Sequence, residues 1–474
     1  MSESIAEMVI PGTYIEVRAE GLIGVGGIVT GNIGIVGTAS RGPVAEVRVL
    51  SSLADAVDLY GLPDTFGAPR EAGAPLSLVR TLQQAFEGGA RNVFAVRVAG
   101  GTVAPATLVL KTEADTDGIT LEAKAIPGVA GSSGSWGQDI NVKLVADTSV
   151  TPATSRLTLA YRKRIETFEG ATLGALADAL ADSALVSTKL AGARSAKPAL
   201  LTTAIQLKGG SDGATVTADQ VDEGLTLLED QPVNILLVAG LSSKKIANQV
   251  QGHLQRTLNE GRERIAILGA DAPGTATDVL ALAAEAADLE NDRVVLVAPG
   301  LVDGADTLPP SYLAAVVAGK LSTLAPHVSL TNKTLPATPD VRYSNAAVST
   351  LIGKPNEVLV VRQKYGTQVV RGLTTSQPPF SQISVRRIVD YAKAGVRLGS
   401  DPYIGRLNNA RVRAALRATL DGFLSQMVLD EMLTGYDLSV DATRAQEIAG
   451  ICSVVMNLKP TFSIDYIRVT MNLE

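Results

Sequence analysis

The chain has 474 residues, long enough for two to four domains with sizeable cores, and its single cysteine, Cys452, excludes an intrachain disulfide framework. Only two histidines occur, His253 and His327, so the sequence offers no His/Cys metal-ligand spacing and no base beside the thiol. A net charge of -6 with 4% aromatic residues argues against a nucleic-acid binder, and the lack of any run of 18 apolar residues argues against a membrane helix.

Met1 to Met8 carries acidic residues and no apolar core, unlike a secretory signal. Residues 8 to 18 open with Pro11-Gly12 and alternate, placing Ile15 and Val17 on one face and Tyr14, Glu16 and Arg18 on the other, which predicts a strand. A glycine-rich stretch leads to an apolar strand at Ile33 to Val36. A helix follows from Ser51 or Ser52 to before Gly61, then another from Pro75 to Phe86 closed by Gly88-Gly89, and Asn92 to Val98 returns as a buried strand. From Gly101 to Leu207 the chain turns Thr-, Gly- and Ala-rich, with short strand-like pieces, and reads as an inserted domain.

Alternation then resumes, with helices at 218–229, 243–260, 275–289 and 310–324 and strands at Val233 to Ala239, Arg264 to Leu268 and Arg293 to Ala298. Continuous apolar strands between helices predict a parallel sheet covered on both faces. Past a Pro- and Thr-rich loop near residue 326, a helix is predicted from about Asn408 to Leu433. Cys452, within Ile451 to Val455, reads as a small buried apolar residue. Thr461 to Glu474 alternates again but changes phase: Phe462, Ile464 and Tyr466 share one face, Ile467, Val469 and Met471 the other. A bulge or twist near Tyr466 would reconcile the two halves.

Charge is uneven. Ile383 to Arg417 holds eight basic residues against two acidic ones, a basic segment on an acidic chain that suggests a partner surface. At 100° per residue Arg406, Arg413 and Arg417 lie within about 40° of one another on the predicted helix, beside Val412, Leu416, Leu420, Phe423 and Met427. Such a stripe is either a solvated helix edge or a surface for acidic groups.

A parallel sheet raises the alternative of a cytosolic α/β enzyme acting on a small molecule or nucleotide. Gly21 to Gly27 lacks the G-x-G-x-x-G spacing, and Gly319-Lys320 lacks the rest of a P-loop. Asp271 follows the strand ending at Leu268, where such sheets place acids, but no base or nucleophile accompanies it. No catalytic, cofactor or metal residue is therefore expected.

Several stretches, in order, resemble the contractile tail sheath family. Ile10 to Tyr14 resembles its Pro-Gly-x-Tyr opening; Ile33 to Pro43, with Ser51-Ser52 and a helix ending Leu59-Tyr60-Gly61, is similar to its first sheet and helix. Leu82 to Val98, Trp136 to Ile140, Leu207 to Gly213 and Ile383 to Ile388 match later segments in turn, while Arg371 to Thr374 departs from the family's Gly-x-Arg-Thr-Leu. The resemblance implies a structural, non-enzymatic subunit without cofactors, stacked in six-subunit rings around an inner tube protein, with baseplate and terminating cap proteins at the ends. Assembly in a bacterial cytoplasm, as part of a phage tail or a related particle, would go with it, without direct nucleic-acid contact or membrane insertion.

With the family in view, the chain divides into a linking arm at 1–20, an α/β sheath domain at 21–100 and 208–325, an outward-facing inserted domain at 101–207, an inner assembly domain at 326–454 and a C-terminal linking arm at 455–474. The fold class is α/β multi-domain, a parallel sheet with a β-rich insert and an α+β C-terminal domain with extended terminal strands. Both ends would complete sheets in neighbouring subunits, through Tyr14, Ile15 and Val17 at one end and Phe462, Ile464, Tyr466, Ile467, Val469 and Met471 at the other. Read from residues alone, the same strands could equally pair within their own domain. Arg406, Arg413 and Arg417 would face the inner tube.

Overall fold

A computed structural model describes residues 27–64, 75–124, 134–147, 154–213, 216–271, 279–353, 357–364 and 366–472. In chain order the first elements are β1 (Ile33–Gly37), β2 (Val47–Leu50), α1 (Leu53–Tyr60), α2 (Leu78–Gly88) and β3 (Val93–Arg97). The insert contributes β4 (Thr107–Lys111), β5 (Asp117–Ala123), β6 (Asn141–Asp147), β7 (Thr154–Tyr161), β8 (Arg164–Gly170), α3 (Leu173–Leu180), β9 (Val186–Leu190) and β10 (Leu201–Gln206). Next come α4 (Ala218–Leu228), β11 (Ile235–Val238), α5 (Ser243–Asn259), β12 (Ile265–Gly269), α6 (Val279–Leu289), β13 (Val294–Ala298), β14 (Leu301–Asp303), β15 (Asp306–Leu308) and α7 (Pro310–Ser322). The last third holds β16 (Thr338–Pro339), α8 (Asn345–Ile352), β17 (Leu359–Gln363), β18 (Thr367–Val369), α9 (Ile383–Ser400), α10 (Ala410–Leu429), β19 (Leu433–Asp441), α11 (Arg444–Ile448) and β20 (Ser453–Pro460).

Eight strands form one sheet in the order β18-β17-β13-β12-β11-β1-β3-β2. The six central strands run parallel, and the outermost, β2 and β18, are antiparallel to their neighbours. Successive strand residues point to opposite faces, and both faces are covered. Ile33, Ile35, Ile235, Ile265 and Val295 pack under α1, α2 and α7; Leu236, Ala266, Val294 and Leu296 pack under α4, α5, α6 and α8. Helix α7 is buried almost all round, as its lack of a polar face requires. It can lie against α2 only because Gly88 and Gly319 face each other: a Cβ on Gly319 would strike the Ala85 carbonyl, and one on Gly88 the Val316 carbonyl.

The insert folds over its own core, centred on Trp136, from a three-stranded sheet (β4-β5-β9), a four-stranded sheet (β10-β6-β7-β8) and α3. It joins the body by two adjacent antiparallel segments, bridged at Ala104 with Ser211 and Thr107 with Lys208. Trp136 stands at that joint, edge-on to Tyr161 at 5.3 Å and under the Arg41 guanidinium at 4.5 Å.

The C-terminal part stacks α9 and α10 on the hairpin β19-β20, with Ile388, Ala392, Phe423, Leu424 and Met427 meeting Tyr436, Leu438, Met456 and Leu458. Four sequence expectations shift here. Strands β17 and β18 belong to the large sheet, so it continues past residue 325. Helix α10 ends at Leu429 rather than Leu433, because Glu431 takes a left-handed backbone (φ 60°) and turns the chain into β19. Residues 455–460 lie inside the hairpin, so the free C-terminal segment starts at Thr461. Cys452 is half-buried against Leu416, Leu420 and Val440, not enclosed.

Candidate assembly site

The hairpin β19-β20 is paired only with itself among the described residues, and this leaves two open strand edges. One face rests on α10. The other presents Thr434, Asp437, Ser439, Val455, Asn457 and Lys459 to solvent. A two-stranded ribbon with open edges is a template for further strands.

Residues 461–472 follow the hairpin and pair with no strand. Burial alternates from Thr461 to Tyr466 with the period of an extended chain: Thr461, Ser463 and Asp465 face the body while Phe462, Ile464 and Tyr466 face out. Asp465, its side chain 7% exposed, is gripped from several sides. Arg371 donates to it from Nε at 3.1 Å and Nη2 at 2.8 Å, Gln382 Nε2 at 3.1 Å, and Thr331 and Ser463 hydroxyls at 3.3 Å each. Gln382 Oε1 in turn accepts the Ser463 backbone N–H at 3.2 Å. Beyond Tyr466 no hydrogen bond or ion pair from the described residues holds the chain, and Ile467, Val469 and Met471 are 83, 69 and 84% exposed.

All six C-terminal linkage residues named from the sequence are thus solvent-facing, on an extended segment. The expected bulge at the phase change is absent from the described ladders. The phase changes where the chain runs past the edge of its own body. Tyr14, Ile15 and Val17 lie outside the described residues.

The three arginines do not form one helical stripe. Arg406 precedes α10 in a turn, where its Nε donates to Pro402 O at 2.9 Å and its guanidinium lies 5.3 Å from the Tyr403 ring. Arg413 is half-buried and donates to Glu447 and to Asn408 Oδ1, each at 2.9 Å. Arg444 and Arg413 hold the Glu447 carboxyl below the usual carboxylate range. Arg417 is exposed on α10, as is Arg411, and neither has an ion-pair partner among the described residues.

Much of the basic segment is consumed inside the chain. Arg386 bridges Asp292 at 2.8 Å and Asp390 at 2.9 Å, and Arg293 takes both oxygens of Asp390. Arg387, pushed down to about 10 by burial, donates to the carbonyls of Thr30, Leu324 and Ala325, and Arg397 pairs with Glu263 at 3.0 Å. These contacts dock α9 on the body. The sequence signal that could have revealed them is the regular scatter of acids at strand ends, not the charge run itself.

The crevice at the carboxyl ends of β1 and β11, where parallel sheets take ligands, is narrowed by Thr38, Ser77 and Gly240 to a cavity of about 70 Å³. Asp271, two residues past β12 and not among the residues lining that cavity, is bonded to the Ser242 hydroxyl and lies 3.8 Å from Lys244. No group of three His, Cys, Asp or Glu side chains suited to a metal ion occurs among the described residues, and no helix there is long and apolar enough to cross a membrane.

Residues 375–474 match the family described as phage tail sheath C-terminal domain. Over 281 residues the chain is 24% identical to the tail sheath protein of Mycobacterium phage Bxz1, spanning 55% of this chain and 47% of that protein, or about half the relative's length. The fold matches the crystal structure of a sheath tail protein from Desulfitobacterium hafniense with a TM-score of 0.67 and 17% identity, covering 95% of this chain and 100% of that one. It also matches the PVC sheath complex of an extracellular contractile injection system in its contracted state, with a TM-score of 0.60 and 13% identity over 100% and 99% of the two chains. A sheath family model thus matches the C-terminal residues and a sheath fold is shared along the whole length, so the chain is similar to the contractile tail sheath proteins.

Proposed function

We propose that this chain is the structural subunit of a contractile tail sheath, polymerising as stacked six-subunit rings around an inner tube and shortening to drive that tube through a target envelope. The observation that carries this reading is the presence of an open-edged hairpin, β19-β20, beside an apolar extended segment that pairs with no strand among the described residues. A donor strand and an acceptor edge that stand unpaired on one chain can link copies head to tail, and such heterologous contacts propagate into helical assemblies. The N-terminal arm, through Tyr14, Ile15 and Val17, would be lent in the same way.

In this reading the body and C-terminal domain move as rigid units, and the lent strands keep subunits connected while the lattice passes from an extended to a contracted state. No nucleotide is consumed. The insert, on its two-segment stalk, faces outward, and the surface around Arg406, Arg413 and Arg417 faces the tube, with baseplate and cap proteins closing the ends. The particle would assemble in a bacterial cytoplasm.

Negative-stain microscopy of the purified chain tests the proposal directly. Long sheath-like tubes are expected, and removal of residues 461–474 should leave a folded body that forms none. Normal tubes from the truncated chain would overturn the lacing.

A further inference from the structure

We infer that the C-terminal segment works in two parts divided at Asp465: Thr461 to Asp465 remains on its own subunit as an anchor, and only the chain from Ile467 onward is lent to a second copy. This rests on the sheath reading above and refines it.

The argument is one of parity. In an extended chain residues of equal parity share a side. The odd positions Thr461, Ser463 and Asp465 are polar and meet Arg371, Gln382 and Thr331 of the body. The next odd positions, Ile467, Val469 and Met471, are apolar and exposed, with none of the described residues covering them. The same side of one strand is therefore matched first to a polar patch on its own chain and then to an apolar surface that the described residues do not supply. Even positions change in the opposite sense, from Phe462, Ile464 and Tyr466 to Arg468, Thr470 and Asn472. An arm lent from Thr461 would instead strip Asp465 of its donors on Arg371, Gln382 and Thr331 and leave the Arg371 guanidinium without its carboxylate.

The occupant that fits the apolar overhang is a second copy, because the hairpin that immediately precedes this segment carries unpaired edges in every copy. The anchor also fixes how far a neighbour can lie. Fully extended, the eight residues from Ile467 to Glu474 would reach about 26 Å, whereas the fourteen from Thr461 would reach about 46 Å. A short, pinned tether favours the adjacent copy over a more distant one. Asp465 is thus a positioning residue for assembly.

Spin labels test the division, since Cys452→Ser gives a cysteine-free parent. In the unassembled full chain, a label at Ile464→Cys is expected to move with the body and one at Val469→Cys to be fast. Adding Asp465→Ala should make the first label as fast as the second, and Arg371→Asp combined with Asp465→Arg should slow it again, with an unchanged circular dichroism spectrum reporting a folded body throughout. Equal mobility of the two labels in the parent would overturn the anchor. Deleting residues 467–474 separates the two ideas: tubes from that chain would sink strand lending itself, whereas equal label mobility with tube formation abolished by the deletion would sink only the anchor.

Discussion

Arg293, immediately before β13, and Asp390 on α9 meet in a two-point ion pair, Nη1 and Nη2 each within 2.9 Å of a different carboxylate oxygen. Asp390 also receives Arg386, so one carboxylate neutralises two arginines that are each 5% exposed. Asp390→Ala would leave Arg293 buried without a counter-ion, and a broken buried pair costs roughly 3 to 5 kcal/mol. Urea unfolding should show a loss of that size. A change under 1 kcal/mol would mean that water or Asp292 replaces the lost carboxylate.

His253 carries a pH dependence whose sign is fixed. Burial, then Arg264 and Arg256, push its imidazole down to about 3, and Nε2 accepts from Arg264 at 2.7 Å, so the folded chain holds it neutral. An unfolded chain binds that proton below pH 6.5. Stability therefore falls as pH drops from 6.5 toward 3, by up to about 1.4 kcal/mol per unit. Comparing unfolding at pH 7 and 5, His253→Gln should show a flatter dependence than the parent; identical slopes would remove His253 from the account.

Gly319→Ala sets two effects against each other. Alanine is favoured over glycine within a helix by about 1 kcal/mol, but overpacking a tight contact costs about 1 to 3 kcal/mol. Here the obstacle is the Ala85 carbonyl, a backbone atom that can yield only if α2 and α7 separate. Net destabilisation is expected in thermal unfolding, and a neutral or stabilised variant would show that the helices have slack.

Charge reversal should separate Arg417 from Arg413. Arg417 is exposed with no ion-pair partner among the described residues, so Arg417→Glu should leave unfolding unchanged while weakening the hold on a tube. Arg413→Glu should also loosen α11, since it sets a carboxylate against Glu447. Particles with normally seated tubes after Arg417→Glu would remove this face from the interface.

The parallel sheet was legible because runs such as Val294 to Ala298 and Ile265 to Leu268 are apolar at every position, as burial on both faces demands. Helix α9 was not, because its first turn buries Arg386 and Arg387 where an apolar period would show leucines. Their partners Asp292 and the Leu324 carbonyl lie on other elements, and a charge count along the chain reads them as surface. The phase change after Tyr466 was visible, but its cause was not, because Arg371 and Gln382 stand more than 80 residues upstream of Asp465. The hairpin could have been read from Tyr436, Leu438 and Val440 and from Val454, Met456 and Leu458, which alternate as strands do.

The stalk that joins the insert to the body leaves and returns through neighbouring segments, tied at Ala104 with Ser211 and at Thr107 with Lys208. Apart from the seat of Trp136 against Ser40 and Arg41, everything from Thr107 to Lys208 is, to the body, a hairpin of unspecified length. Evolution or an engineer can therefore exchange that whole cassette, or graft a reporter in its place, while the sheet, its covering helices and the C-terminal hairpin keep their own register.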